Sequence, residues 1–343
     1  MARRLPIYLL LDCSESMYGD PLDRVEVGVF TMLSSLQRNP HALETAYISF
    51  ISFDAKARLL SPLTELIQVK PPSLSIRPGT SLGAALDILA KCLNEDLVKT
   101  TSAAKGDYRP LVFILSDGRP TDDWRRPLAK VKAITPKVAN IITIGCGEDA
   151  DYETLAAVGD ECYSVKDFST ETIGKLFVWL TASIQTKSVS PDEVVSLAKV
   201  PPDNSIVLID KKNPPKTVRG KDKLYFHATC SQAHKSYMLV YEYMDVGGDV
   251  SGYVCKDSVR LPDDFFSDGK MEAPPINVGQ LLNLLPCPYC GRDDIAKCGF
   301  CKHLFCCCDD DDQEDGTSVC PVCETTLRIG SSSDGFTIEG SSG

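Results

Sequence analysis

Three short stretches of this chain offer oxygen to a cation, and a fourth offers sulfur. The first is Asp12-Cys13-Ser14-Glu15-Ser16, which puts a carboxylate and two hydroxyls at alternate positions behind the apolar run 5–11. The second is Ile76-Arg77-Pro78-Gly79-Thr80-Ser81, a turn with a hydroxyl at its lip. The third is Ser116-Asp117-Gly118-Arg119-Pro120-Thr121-Asp122, which closes the apolar run 111–115. Asp12, Ser14, Ser16, Thr80 and Asp117 are thus candidate ligands, and hard oxygen donors suit Mg2+ or Mn2+. The sulfur lies near the other end, in Cys287-Pro-Tyr-Cys290, Cys298-Gly-Phe-Cys301, Cys306-Cys307-Cys308 and Cys320-Pro-Val-Cys323. A Cys-x-x-Cys turn aims two thiolates at one tetrahedral ion, and two such turns close a zinc shell.

The elements that would position the oxygen ligands alternate between strand and helix. Apolar runs at 5–11, 44–53, 111–115, 138–145 and 162–165 read as buried strands, and 57–60 as a short, antiparallel partner of the second. Helical spacing recurs over 20–37, from Ser81 onward, and over 123–134, 151–158 and 170–184. In the first helix Val25, Val27, Val29, Phe30, Met32, Leu33 and Leu36 crowd one broad side. Such alternation implies a doubly wound, mostly parallel sheet, in which ligands gather outside the carboxyl ends of the strands. All three oxygen loops leave such ends or enter a helix.

Ser and Asp before a helix also serve as N-caps. Capping accounts for one such loop but not for three that converge on one edge. A phosphoryl-transfer enzyme with a nucleophilic Asp after its first strand would need a second acid where Ser14 stands. Glu15 is expected to face solvent.

Asp-x-Ser-x-Ser, a Gly-Thr loop and Ser-Asp-Gly-x-Pro-Thr-Asp together resemble the von Willebrand factor A (VWA) domain. The resemblance covers roughly the first half of the chain. It implies a Rossmann-like α/β fold and a metal-ion-dependent adhesion site at Asp12, Ser14, Ser16, Thr80 and Asp117. It also implies that Asp12 and Asp117 act mostly through water, or with one of them direct, while the three hydroxyls are expected to bind directly.

A Pro-rich change of composition sets the boundary of this domain near Lys187, so that it spans residues 1–186. A β-rich middle segment (187–285) follows, with short strands at 206–209, 224–230, 237–243 and 253–255. Residues 286–329 form the cysteine-rich ribbon, and a Ser/Gly-rich tail closes the chain at 330–343. Nine of the fifteen cysteines lie between Cys287 and Cys323. Such clustering points to metal in a reducing compartment rather than to disulfides. The first and last pairs are both Cys-Pro-x-Cys and resemble rubredoxin-like ribbons. They assign Cys287, Cys290, Cys320 and Cys323 to one zinc. Cys298, Cys301 and Cys306 are candidates for a second, with His303, Cys307 or Cys308 as its fourth ligand. The scattered Cys13, Cys92, Cys146, Cys162, Cys230 and Cys255 read as small core residues. The acidic run 309–312 lacks the ligand spacing of a calcium loop and reads as a solvated loop.

A net charge of -11 disfavours nucleic acid as a partner. The first apolar run is too short to span a membrane, and no signal-peptide cleavage pattern follows it. These features point to the cytoplasm.

An N-terminal VWA domain, a β-rich middle and a Cys-Pro-x-Cys ribbon resemble the TerY family of tellurite-resistance proteins. That resemblance implies a stress-response setting with a protein kinase and a metal-dependent serine/threonine phosphatase as partners. The expected function is a Mg2+-dependent protein-binding scaffold and not an enzyme: no nucleophile–base pair is evident, and no histidine falls in the three oxygen loops. The alternatives are a metal-dependent hydrolase and a chelatase-type subunit. The latter usually travels with a phosphate-binding Gly-Lys-Ser/Thr loop, which is missing here.

Overall fold

The computed structural model describes residues 3–18, 20–102, 105–116, 119–134, 139–147, 150–189, 197–215, 223–245, 251–262, 276–307, 317–328 and 337–338. The chain divides into two compact units, Met1–Arg219 and Gly220–Gly343.

The first unit runs β1 (Leu5–Asp12), α1 (Asp20–Leu36), α2 (Pro40–Thr45), β2 (Ala46–Phe53), β3 (Ala57–Glu65), α3 (Leu82–Glu95), β4 (Leu111–Ser116), α4 (Arg125–Ala133), β5 (Asn140–Cys146), α5 (Tyr152–Val158), β6 (Glu161–Val165), α6 (Thr170–Val189) and β7 (Ile206–Leu208). Its sheet has the order β3-β2-β1-β4-β5-β6-β7. The five inner strands are parallel, and β3 and β7 are antiparallel edges. The expected doubly wound, mostly parallel architecture is present.

Period-2 alternation sends each inner strand into two cores. From β1, Leu5, Ile7, Leu9 and Leu11 enter a cluster with Val25, Val29 and Leu33 of α1 and Leu176 and Leu180 of α6. Tyr8 and Leu10 point the other way, against Leu86 and Leu89 of α3 and Leu128 and Val131 of α4. Each such buried aliphatic side chain contributes about 1.5–3 kcal/mol. On α1 the buried stripe is narrower than the sequence suggests: Val27 and Phe30 are 64% and 58% exposed. Helix geometry turns positions 27 and 30 away from the stripe carrying 22, 25, 29, 32, 33 and 36.

Strand order reverses direction between β1 and β4, so the loops after these strands flank a topological switch point. Asp12 ends one strand and Ser116 the other.

The boundary near Lys187 shifts along the chain. α6 continues to Val189, and β7 adds to β6 with Tyr163 opposite Leu208. Leu197 and Ile206 enter the first core, and Trp179 Nε1 donates to the Ala198 carbonyl at 2.7 Å. Residues 197–208 thus complete the first unit.

In the second unit, β8 (Lys223–Thr229), β9 (Ser236–Asp245) and β10 (Ser251–Arg260) form an antiparallel meander. β11 (Ile276–Asn277) is short, and β12 (Leu281–Leu282) pairs with β10. β13 (Ile295–Lys297) and β14 (Leu304–Cys306) form a hairpin, and β14 pairs in parallel with β8. One six-stranded sheet of order β12-β10-β9-β8-β14-β13 results. β15 (Thr317–Val319) pairs with β16 (Thr326–Arg328), and β17 (Thr337–Ile338) with β11. The middle segment and the cysteine-rich segment therefore share a sheet instead of forming separate domains. The acidic run 309–312 and most of the 330–343 tail lie outside the described residues.

Candidate metal-ion sites

Asp12 is 1% exposed, at the carboxyl end of a strand buried on both faces. Its Oδ1 accepts from the Ser14 amide at 2.9 Å, and its Oδ2 accepts from the Ser116 hydroxyl on β4. Burial pushes the Asp12 carboxyl up to about 6, against the hydrogen bonds from Ser116 and Ser14, which lower it. A 3-10 turn at Glu15–Met17 follows, and the Ser14 and Ser16 hydroxyl oxygens lie 2.9 Å apart.

Four hydrogen bonds from backbone amides tie the second loop to the first and the third loop to the second. The Arg77 amide donates to the Cys13 carbonyl at 2.9 Å. The Gly79 amide donates to Glu15 Oε2 at 2.6 Å. The Thr80 amide donates to Thr121 Oγ1 at 3.2 Å, while the Thr121 amide donates to the Thr80 carbonyl at 2.9 Å. Glu15 is therefore not a solvent-facing residue: it is 2% exposed and anchors the second loop to the first. Gly79 sits at φ +91°, and a Cβ there would come within 3.0 Å of the Ala55 backbone, so glycine alone fits this crossing.

The third loop docks on the first turn of α3. Asp122 accepts from the Gly83 and Ala84 amides at 2.8 and 2.9 Å. A Cβ on Gly83 would meet the Asp123 carbonyl at 2.5 Å, which explains the small residue there. Asp122 is thus a helix cap supplied from a distance. Trp124 is half-buried against the α3–α4 core, with Arg125 over its ring at 4.6 Å.

Asp12, Ser14, Ser16 and Thr80 accordingly belong to loops tied together outside the carboxyl ends of the inner strands. Asp117 lies outside the described residues, next to Ser116, which holds Asp12. The donor set fits a small hard cation. With metal–oxygen distances of 2.0–2.1 Å, adjacent ligands of an octahedral Mg2+ lie roughly 2.9 Å apart. The Ser14–Ser16 separation matches that edge.

The sulfurs form two groups, each with its four sulfur atoms within 4.8 Å of one another. Cys230, Cys287, Cys290 and Cys306 make the first, and Cys298, Cys301, Cys320 and Cys323 the second. The sequence pairing of Cys287 and Cys290 with Cys320 and Cys323 is not what the fold brings together, and Cys306 does not join Cys298 and Cys301. Cys306 ends β14, which lies beside β8, and this carries it to Cys230 and the Cys287 pair. Within the groups, Cys290–Cys306, Cys298–Cys323 and Cys301–Cys320 sulfurs approach to 3.5, 3.5 and 3.7 Å. A tetrahedral zinc with 2.3 Å bonds sets its sulfurs about 3.8 Å apart.

Of the three residues considered for the second shell, His303 bonds the Thr229 hydroxyl through Nε2 at 2.8 Å. Cys307 packs with Phe305, and Cys308 lies outside the described residues. The hydroxyl and amide of Thr325 pull the Cys323 thiol down to about 6, toward the thiolate form that binds metal. Cys13, Cys92, Cys146, Cys162 and Cys255 are buried, as expected of core residues; Cys230 departs from that reading by joining a sulfur group.

Sequence reasoning missed three positions: Ser116, Glu15 and Cys230. Ser116 carried a signal, because it directly precedes the third loop's Asp117 at a strand end. Glu15 and Cys230 act on partners far away along the chain and left no local mark.

Residues 7–177 match the family model of the von Willebrand factor type A domain. No curated protein matches the chain. Among solved structures, the ArnB paralog VWA2 from Sulfolobus acidocaldarius is 15% identical with a TM-score of 0.36, over 77% of this chain and 67% of that one. The pilus adhesin SpaC from Lactobacillus rhamnosus GG is 14% identical with a TM-score of 0.43, over 77% of this chain and 38% of that one. Proximal thread matrix protein 1 from the mussel byssus, in a structure with a zinc-occupied MIDAS motif, is 17% identical with a TM-score of 0.37, over 53% and 48%. The chain spans about half the length of that mussel protein.

Proposed function

We propose that the von Willebrand factor type A domain carried by this chain over residues 7–177 is a divalent-cation socket for an acidic side chain of a protein partner. The domain is a metal-dependent adhesion and protein-interaction fold. The observation that carries the reading is the state of Asp12. Both of its oxygens are engaged, by the Ser14 amide and the Ser116 hydroxyl, while the Ser14 and Ser16 hydroxyls lie one octahedral edge apart. Neutral hydroxyls of Ser14, Ser16 and Thr80 would then supply the direct ligands, with Asp12 and Asp117 acting through water. An ion held this way keeps most of its charge, so an incoming carboxylate makes a charge-assisted bond that water does not match. Mg2+ or Mn2+ suits the oxygen set.

In this reading the protein is a non-catalytic adaptor. Zinc in the two cysteine groups holds the second unit together. A cytoplasmic setting belongs to this reading, on the clustering of Cys-x-x-Cys pairs that suits metal in a reducing compartment. The resemblance to the TerY family supplies the partners to try first: a protein kinase and a metal-dependent serine/threonine phosphatase of a tellurite-resistance or stress-response system.

The test is direct binding of those two proteins to the purified chain, with Mg2+ and with EDTA. Ser14→Ala combined with Thr80→Ala should abolish Mg2+-dependent binding while moving Tm by no more than a few degrees, since both changes remove hydroxyls and no core volume. EDTA should mimic the variant, and Mg2+ or Mn2+ should restore binding. Binding that survives both treatments rules out the socket.

A further inference from the structure

Four turns of the second unit share one backbone shape, and only three of them carry two cysteines. In each, the amide of a first cysteine donates to the carbonyl five residues on. The bonds are Cys230 to Lys235 at 2.9 Å, Cys287 to Arg292 at 2.7 Å, Cys298 to His303 at 2.8 Å and Cys320 to Thr325 at 3.0 Å. In each, the amide four residues on returns to the cysteine carbonyl, from His234, Gly291, Lys302 and Glu324, at 2.9, 2.9, 2.9 and 3.0 Å. In each, that same residue, the fifth of the turn, has positive φ, at 52°, 78°, 65° and 58° respectively. Three of the four are not glycine, and a positive φ is uncommon for such residues. The repeat is therefore a specific shape and not a generic turn. It places the first and fourth side chains of the turn on one side, where Cys287/Cys290, Cys298/Cys301 and Cys320/Cys323 present paired sulfurs.

The turn at Cys230 has Ala233 at its fourth position. Its backbone still treats the cysteine as a ligand: the Ala233 amide donates to Cys230 Sγ at 3.2 Å, just as the Cys301 amide donates to Cys298 Sγ at 3.5 Å. The missing sulfur comes from another strand. β8 and β14 are parallel neighbours, with Ala228 opposite Leu304 and Thr229 opposite Phe305, so Cys230 and Cys306 leave the sheet side by side. The Ser231 amide donates to Cys306 Sγ at 3.3 Å, and Arg292 Nη1 donates to Ser231 Oγ at 2.8 Å, tying the Cys287 turn to the Cys230 turn. Cys230 and Cys306 are fully buried.

We propose that Cys230 is a zinc ligand, that residues 230–235 are a fourth zinc-binding turn, and that Cys306 replaces the second sulfur which Ala233 lacks. The ion so held pins the β8–β9 hairpin to the cysteine-rich segment and makes residues 220–328 one binuclear zinc unit. This rests on zinc occupying the cysteine groups, as proposed above.

The test is zinc content of the full chain by elemental analysis, together with the visible ligand-field spectrum after Co2+ replacement. Two ions per chain are expected for the parent, one per group of four sulfurs. Cys230→Ser and Cys306→Ser should each lower the count to one, with loss of half the thiolate–Co2+ absorption. Cys255→Ser, which removes another buried thiol of the same sheet, should keep two. Adding Ala233→Cys to Cys306→Ser should restore the second ion, because the new sulfur stands where the other three turns carry theirs. A Cys230→Ser chain that keeps two ions overturns the proposal while leaving zinc in the cysteine groups intact. A parent chain without zinc overturns both. A double variant that stays at one ion overturns the equivalence of the four turns.

Discussion

The two units use candidate metal sites in opposite ways. In the first, the oxygen site sits on top of a finished fold. Two cores flank the sheet, and side chains such as Leu9, Phe113 and Leu180 are buried with no reference to an ion. In the second, the candidate sulfur ligands are part of the core, beside apolar side chains such as Phe226, Leu239 and Tyr241. One of its clusters has Cys298, Phe305, Cys307 and Cys320 as its buried members, and another includes Cys230, Cys287 and Cys306. On the proposed reading, an ion on the first unit would come and go with a partner, whereas an ion in the second would be part of what folds it. A small domain short of apolar surface needs such a staple.

The largest effect that would break this comparison is metal removal. A structural zinc carries on the order of 10 kcal/mol of folding free energy, comparable to the whole net stability of a typical domain. A strong zinc chelator should therefore unfold the second unit and leave the first with its native near-UV circular dichroism. Limited proteolysis should then cut within residues 220–328 and spare 3–208. Equal resistance of both units to protease after chelation would erase the distinction.

A smaller effect sharpens the other half. Without a cation, Asp12 is a buried carboxyl whose folded-state value, about 6, lies above the ordinary 3.8. The folded state then binds the proton more tightly than the unfolded chain does, so this group favours folding below about pH 4. That contribution is lost as pH rises through 6. At neutral pH the metal-free first unit carries a cost on the order of 3 kcal/mol from Asp12. In EDTA, urea melts should show the first unit more stable at pH 5 than at pH 7. Asp12→Asn should flatten that difference and raise stability at pH 7 while abolishing Mg2+ binding. Saturating Mg2+ should also remove the loss in the parent chain. A metal-free parent and an Asp12→Asn chain with the same pH profile would show that Asp12 is not strained in the empty fold.

The same contrast decides what was legible in the sequence. Asp12, Ser14 and Ser16 are neighbours, and their strand announces itself as an unbroken apolar run, so site and scaffold could be read together. α2 was missed, although Asn39-Pro40 is a local start signal: Asn39 accepts from the Ala42 amide at 3.0 Å. β7 could not be assigned to the first sheet, because only its pairing with β6 puts it there. The cysteine groups failed for a sharper reason. Cys-x-x-Cys spacing identifies ligand pairs, but which pair meets which is settled by the parallel pairing of β8 with β14. A lone cysteine that completes a shell looks like any core cysteine. Where binding is local, spacing suffices; where it is the product of folding, only the sheet reveals it.

The smallest effect concerns how the oxygen loops are held. Asp122 caps α3 from the far side of the site, accepting from Gly83 and Ala84, and Ser81 at the helix start makes no capping bond of its own. Helix N-termini favour an anion that satisfies their orphan amides, and loss of such a cap costs about 0.5–2 kcal/mol. Asp122→Ala should therefore lower first-unit stability within that range. Asp122→Asn, which keeps one acceptor, should cost less. If Asp122 were instead a contact for the partner, both substitutions would weaken partner binding and leave stability unchanged. The capping geometry leads to the reverse: a loss of stability in the metal-free protein, with Mg2+-dependent partner binding retained at temperatures well below the transition. Denaturation midpoints and binding isotherms on the same two variants separate the outcomes. A cap on the rigid unit is then worth a tenth of what a zinc is worth in the other.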